Sequence, residues 1–282
     1  MREILKPCCL EEFFFFLDRY PDALPMAGGT DLLVKLRKQT GPDHRPLILL
    51  SGVEELHGVR DTGSKISIGA ATPLSRLISD PLPALHAPVL VHAVGTIGGP
   101  AVRNMATIGG NIRTASPAGD TLPPLYILGA EVELASRAGM RILPIEEFVS
   151  GPGRTQLGNH EIITRVLIPH SGPFPCQSFE KVGLRRSLAV AVVSFAAMLR
   201  LSSDGTVAEA RFAWGSVAPT VARLPQLEAG LAGRRLDADA IRFAADTVRG
   251  FVAPIDDIRA TAGYRRSVAS NLLVRFLEGI HG

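Results

Sequence analysis

Apolar and polar positions along the chain follow two periods in turn, one near 3.6 and one near 2, with glycine-rich breaks between them. In residues 10–20, Phe13, Phe14, Phe16 and Leu17 predict a short helix with more apolar surface than one buried stripe requires, and part of it is expected to meet another subunit. The run ALPMAGGTDLLVKLRK, from Ala23, predicts a short apolar strand, a turn at Gly28 and Gly29, and a helix whose first turn carries Thr30 and Asp31. PLILLSG at 46–52 then reads as a buried strand. Strand, helix and strand in so short a span form a βαβ unit, expected to be right-handed.

From about residue 56 the pieces shorten. KISIGA at 65–70 reads as a strand, ATPLSRLI as a capped turn, 84–95 as helix, and 95–120 as a glycine-rich segment. EVELAS at 131–136, RILPIEEF at 141–148 and EIITRVLIP at 161–169 read as further strands, closed by HSGPFP at 170–175. Beyond this boundary, LAVAVVSFAAMLRL fits helix or strand by period alone. The Asp204-Gly205 turn and the β-like run after it favour a hairpin, with Phe212 and Trp214 in its core. Helices are expected at 237–251 and 264–279. The reading is α+β: a first domain over 1–172, with subdomains of about 1–55 and 56–172, and a small α+β domain over 173–282.

Composition narrows the chemistry. With 46% hydrophobic and 20% charged residues, the 282-residue chain is neither a disordered tail nor a fibrous repeat. Its 30 basic and 27 acidic residues are scattered, which argues against a nucleic-acid binder. Cys8, Cys9 and Cys176 supply neither a disulfide framework nor the ligands of a zinc or iron–sulfur site, so a reducing compartment is expected and any redox chemistry needs another carrier. His57, His86, His92, His160 and His170 show no ligand spacing and no partner acid, and read as ordinary surface or loop residues. The N-terminus lacks the pattern of a signal peptide, and the longest nearly apolar stretch, Leu188–Leu199, is too short to span a bilayer. A soluble, cytoplasmic protein without membrane insertion is expected.

Two segments carry candidate binding chemistry. Ala27, Gly28, Gly29, Thr30 and Asp31 sit where a strand feeds a helix, so free N–H groups there could cradle phosphate; a tight turn capped by Thr30 or Asp31 is the plainer reading. The segment GTIGGPAVRNMATIGGNIRTASPAGD, Gly95 to Asp120, contains TIGG twice, followed by Asn111, Thr114, Ser116 and Asp120. Its glycines let a ligand approach, and its short polar side chains suit the hydroxyls of a ribityl or ribose chain, against the alternative of a glycine-rich β corner. Lys181, the only lysine after Lys65, could be a solvated strand residue.

These residues bring out a resemblance. AGGTDLLVKLR at 27–37, VRNMATIGGNIRTASPAGDTLPPLYILGA at 102–130, FEKVGLRRSLAVAVVS at 179–194 and DDIRATAGYRRSVASNLLVRFLE at 256–278 resemble, in order, the FAD-binding subunits of the molybdenum hydroxylases, such as those of xanthine dehydrogenase and aerobic carbon monoxide dehydrogenase. The resemblance implies a vanillyl-alcohol-oxidase (PCMH)-type FAD-binding domain of two subdomains plus a C-terminal α+β domain, and not a Rossmann fold. It implies that Gly28–Asp31 hold the FAD pyrophosphate and that Thr107, Gly109, Gly110, Asn111, Thr114, Ser116 and Asp120 form the second loop. Ile97 is then placed near the flavin ring, with further contacts from Ile163 and from Lys181, a cation reaching across the domain boundary. The acidic residue that the family often carries after the double arginine is replaced here by Leu188-Ala189-Val190.

The same resemblance implies an oxidoreductase subunit with FAD as its one cofactor and no catalytic side chain of its own. It would pass electrons from a [2Fe-2S] small subunit to NAD⁺ or another acceptor, beside a molybdopterin-binding large subunit. The competing readings are a self-contained flavin reductase of the enolpyruvyl-reductase type and a flavin-free scaffold. NIRTASPAGD and the tail favour the hydroxylase subunit, and the intact glycines argue against the scaffold.

Overall fold

Three larger sheets, each with its own helices, and a two-stranded hairpin are formed by the described residues in a computed structural model that describes residues 2–41, 43–185 and 188–280. The step Arg186-Ser187, within the motif at 179–194, therefore lies outside the described residues. The first sheet comprises β1 (Ile4–Leu5), β2 (Leu24–Met26) and β3 (Leu47–Leu49), parallel and in the order β1-β3-β2, with α1 (Leu10–Arg19) and α2 (Leu32–Lys38) between the strands. This is the expected parallel unit. α1 buries Phe13, Phe14 and Leu17 and leaves Phe15 exposed. Two details differ from the sequence reading. Thr30 and Asp31 precede α2 rather than filling its first turn, and the Asp31 carboxylate is engaged by Lys35 at 2.6 Å and by the Thr114 hydroxyl at 3.2 Å. The strand at 46–52 stops at Leu49, and Leu50–Gly52 form a single 3₁₀ turn.

The second sheet is antiparallel and is interrupted by helices. β4 (Val59–Asp61) and β5 (Lys65–Gly69) are followed by α3 (Leu74–Ser79), α4 (Pro81–His86), α5 (Pro88–Gly95), α6 (Pro100–Met105), α7 (Ile108–Thr114) and α8 (Leu122–Ile127). Then come β6 (Glu131–Ser136), β7 (Gly139–Pro144), α9 (Ile145–Phe148), the hairpin β8 (Val149–Gly151) and β9 (Arg154–Thr155), and β10 (Ile162–Pro169). The strand order is β4-β5-β10-β6-β7. Ile66, Ile68, Val132, Leu134, Val166 and Ile168 join Leu74, Leu90, Ile108, Ile112 and Leu125 in one buried core, as period 2 in the strands and 3.6 in the helices require. The stretch 141–148 is strand only to Pro144; Ile145 and Phe148, three apart and both buried, turn it into α9.

The glycine-rich segment is more helical than its composition suggests. Its second Gly-Gly pair lies in the first turn of α7, where the Thr107 hydroxyl accepts the Gly110 N–H at 3.1 Å and Ile108 and Ile112 anchor the helix in the core. Thr107→Ala is expected to lower stability by about 1 kcal/mol, read as a reduced urea midpoint at unchanged slope.

The third sheet contains β11 (Cys176–Gly183), β12 (Ala191–Leu201), β13 (Val207–Gly215) and β14 (Ala222–Arg223), antiparallel and in sequence order. α10 (Pro225–Leu231), α11 (Ala238–Phe251) and α12 (Ala262–Glu278) contribute to the core on one of its faces. The ambiguous apolar run is β12, and its double-sided burial explains the ambiguity. Val193, Phe195, Ala197 and Leu199 pack with the helices, whereas Ala196 and Met198 join the core of the second sheet. Phe212 and Trp214 are fully buried as expected, and the Trp214 indole N–H donates to the Ala269 carbonyl at 3.1 Å.

Candidate functional site

The two glycine segments meet through backbone. A methyl group on Gly28 would lie 1.7 Å from the Met105 carbonyl oxygen, so the loop 27–31 rests directly on the end of α6. A few residues on, Thr114 at the end of α7 donates to Asp31, tying the same loop to the second segment. Gly29 has φ +69°, a left-handed conformation that glycine adopts without penalty. Among the described residues, no backbone acceptor takes the N–H groups of Gly28, Gly29 or Thr30. Such a run of N–H groups can receive an anion.

The second glycine pair does something else. Ile108 N–H donates to Thr72 O, Gly109 N–H to Ala70 O at 2.9 Å and Gly110 N–H to Thr107 Oγ1, so the protein itself uses all three. A Cβ on Gly109 would lie 2.7 Å from Ala70 Cβ and 2.8 Å from its carbonyl oxygen. Gly109 therefore serves close packing of α7 on residues 70–72. Gly110 is exposed, and a Cβ there would meet only the Thr107 hydroxyl, at 3.0 Å.

Polar groups continue beyond α7. Asn111 Oδ1 accepts the Thr121 hydroxyl at 2.6 Å, and Ser116 Oγ accepts the Ala118 N–H at 3.3 Å. Asp120 is buried, and its Oδ2 accepts from Lys181 Nζ at 2.5 Å. Period 2 along β11 explains that reach: Phe179 enters the core of the second sheet, and Lys181, two residues on, shares its face. Lys181 also donates to the Thr96 carbonyl at 3.3 Å. The pair is 10% and 7% exposed at the side chains, so desolvation pushes the Asp120 carboxyl above the ordinary aspartate value, with the Lys181 ammonium opposing that rise. Asp120 Oδ1 is enclosed and has no hydrogen-bond partner among the described residues.

Thus Gly28, Asp31 and Lys181 contact the segment 96–120 directly, through Met105, Thr114, and Thr96 with Asp120, and Gly29 and Thr30 lie in the same loop. Ile97 lies at the edge of the main core, and its carbonyl is braced by Arg103 at 2.9 Å. Ala27 packs against the core of the first sheet. Ile163 is buried on β10, one residue before Thr164, whose carbonyl takes the Ala70 N–H. It therefore sits behind α7.

Sequence reasoning passed over Arg103, which donates to both Ile97 O and Gly98 O and holds the turn where Gly98 has φ +48°. It also missed a latch from the C-terminal domain. Ser216, with φ +65°, donates its N–H to Pro117 O at 2.8 Å, while buried Arg265 donates to Ser216 O and Val192 O. No local pattern marks either residue. The reading of the histidines also needs correction: His86 and His170 stack on each other and share Asp61 as partner acid, because the sheet order brings β4 and β10 to either side of β5.

The unpaired N–H groups at 28–30 fit an anionic pyrophosphate, and the orphaned Asp120 Oδ1 fits a hydroxyl donor. Comparison with known proteins identifies the group that combines them. Residues 1–171 match the FAD binding domain in molybdopterin dehydrogenase, and residues 178–280 match the CO dehydrogenase flavoprotein C-terminal domain. The chain is similar to the xanthine dehydrogenase FAD-binding subunit of Escherichia coli O157:H7, 33% identical over 254 residues that cover 87% of this chain and 84% of the relative. It is also similar to the carbon monoxide dehydrogenase medium chain of Hydrogenophaga pseudoflava, 31% identical over 91% of this chain and 88% of that one. A solved carbon monoxide dehydrogenase from H. pseudoflava superposes with a TM-score of 0.91 at 31% identity, covering 98% of this chain and 96% of its counterpart. The α+β architecture is therefore that of a flavoprotein subunit with an FAD-binding domain and a C-terminal domain, and FAD is its cofactor. No helix among the described residues is long and apolar enough to cross a membrane. With both of its halves matched to one oxidoreductase family, the chain belongs to the FAD-binding subunits of the molybdenum hydroxylases, the xanthine and carbon monoxide dehydrogenase type.

Proposed function

We infer that this subunit takes electrons from the iron–sulfur clusters of a small partner and passes them to NAD⁺ or another acceptor, in a complex whose molybdopterin-binding large subunit oxidises the substrate. When bound, FAD supplies the exchange between one-electron and two-electron carriers. The protein contributes position, charge and exclusion of water.

In this reading the N–H groups of Gly28, Gly29 and Thr30 receive the pyrophosphate, with Asp31 held off it by Lys35 and Thr114. Asn111, Thr114, Ser116 and Asp120 offer hydrogen bonds to the ribityl and ribose hydroxyls, and Ile97 borders the ring. Thr107, Gly109 and Gly110 act by seating α7 on residues 70–72, and Ile163 supports that seat from behind. Lys181 opposes the upward push that burial exerts on the Asp120 carboxyl and joins the C-terminal domain to the cofactor loops. The observation that carries the reading is the backbone contact between Gly28 and Met105, which joins the unpaired N–H groups to the polar segment.

The purified chain is expected to hold one FAD, released on denaturation and identified by chromatography. Anaerobic NADH is expected to bleach the flavin absorbance. Bleaching by dithionite but not NADH would assign the acceptor to another carrier, and failure to bind FAD even on reconstitution would overturn the reading.

A further inference from the structure

At one end of the second sheet, three side chains that the flavin loops do not use converge from separate elements. Asp61 ends the edge strand β4, His86 ends α4, and His170 follows β10. The His170 N–H donates to Ser64 O at 2.8 Å, which seats that residue beside the β4–β5 turn. Within the turn, Gly63 N–H donates to Asp61 Oδ1 at 2.7 Å and fixes the carboxylate.

The geometry of the three groups is specific. His170 Nε2 lies 3.4 Å from Asp61 Oδ1, and His86 Nε2 lies 3.9 Å from Asp61 Oδ2. The two imidazole rings are parallel, 6° apart in plane, with centroids at 4.1 Å. One donor atom from each residue lies within 4.8 Å of the others. Both nitrogen–oxygen separations exceed the roughly 2.7–3.2 Å of a formed hydrogen bond. His170 Nε2 is enclosed and has no hydrogen-bond partner among the described residues. Two ring nitrogens thus face the two oxygens of one anchored carboxylate without closing on it.

We propose that Asp61, His86 and His170 form a binding site for a divalent transition-metal ion, with zinc as its natural occupant and a fourth position left to water. Two imidazoles and a carboxylate suit zinc and its neighbours, whereas calcium and magnesium prefer shells made of oxygen. Zinc takes ligands at about 2.0–2.2 Å in a tetrahedron, so the donors must close on a common centre by roughly 1 Å. The side chains, 22–38% exposed, have room to make that swing, and a hydrated ion has a path in. Coordination also requires the rings to leave their parallel stack, because two in-plane lone pairs must point at one centre.

The test uses the FAD-loaded chain carrying Cys8→Ser and Cys9→Ser, since Cys8, Cys9 and Glu12 form a second group of potential ligands. After stripping with a chelator, zinc is titrated against a chromogenic competitor. One zinc per chain is expected, with His86→Ala, His170→Ala and Asp61→Asn each weakening it by about tenfold or more. Flavin content and the thermal midpoint in chelator should stay unchanged in these variants; His86→Gln and His170→Gln replace any alanine variant that fails to fold. Zinc bound no more tightly by the parent than by the His86/His170 double variant would overturn the site. So would binding that is present in the native chain and vanishes when only the cysteines are replaced.

Discussion

Gly28→Ala is expected to weaken FAD binding strongly and to lower the stability of the chain by about 3 kcal/mol or more, from the addition of one methyl group. The cause is steric and local. That methyl carbon would stand 1.7 Å from the Met105 carbonyl oxygen and 2.4 Å from its carbon, and backbone cannot yield as a flexible side chain does. Overpacking a well-filled site usually costs about 1–3 kcal/mol, and this contact lies at the severe end. Relief requires the loop 27–31 to lift away from α6, which parts the N–H groups of 28–30 from the polar segment. If the same 3 kcal/mol is lost from binding, FAD affinity falls by about a hundredfold.

Gly29→Ala provides the contrast. Its burden is the left-handed φ of +69°, about 1–2 kcal/mol for a residue with a Cβ, and the nearest atom at 3.1 Å belongs to the flexible Leu33 side chain. Flavin-to-protein ratio and thermal midpoint, measured side by side, should therefore rank Gly28→Ala well below Gly29→Ala. Full flavin and an unchanged midpoint in Gly28→Ala would show that the loop does not rest on Met105.

Lys181→Met is the second large effect, and it separates stability from cofactor binding. Removing the ammonium leaves the buried Asp120 carboxylate unpaired, a situation that costs about 3–5 kcal/mol at neutral pH. The pH dependence comes from the direction of the aspartate shift. Burial already holds the folded-state pKa of Asp120 above its ordinary value of 3.8, and loss of Lys181 raises it further. The folded state then binds the proton more tightly than the unfolded chain. Stability is fully present below the unfolded value and is lost as pH rises through the folded one. Urea midpoints of Lys181→Met should accordingly approach the parent near pH 4 and fall away toward neutrality. A deficit independent of pH would mean that Asp120 is not the group left exposed to the loss.

The double variant Asp120→Leu/Lys181→Met completes the cycle. With both charges gone and their volume replaced by apolar atoms, most of the stability should return. FAD affinity should not, because the orphaned Asp120 Oδ1 and the Lys181 cation are both missing. Recovery of full FAD binding in the double variant would remove the pair from the cofactor site.

Much of this molecule is legible one segment at a time. The Phe13/Phe14/Leu17 stripe, the alternating KISIG and EVELAS strands and the Asp204-Gly205 hairpin all reflect period or turn chemistry. These are local preferences, and a single window of sequence carries them. The candidate loops at 27–31 and 95–120 were visible for the same reason: adjacent glycines and short polar side chains mark backbone that something must approach.

What approaches each glycine was decided only in three dimensions. Gly28 and Gly109 resemble each other in sequence, yet the first meets the Met105 carbonyl and the second meets Ala70, so one opens toward the cofactor loops while the other packs a helix. Period alone could not separate helix from strand in β12, because its two faces are buried against different cores. Asp61, His86 and His170 are scattered in sequence and become neighbours only because the sheet order sets β5 between β4 and β10. The sequence by itself determined most of the elements, the glycine loops and the family resemblance; the tertiary structure decided the ambiguous run at β12 and which surfaces touch. The physical reason is that propensity and capping act over a few residues, whereas close approach, desolvation and charge pairing depend on distances that strand order alone sets.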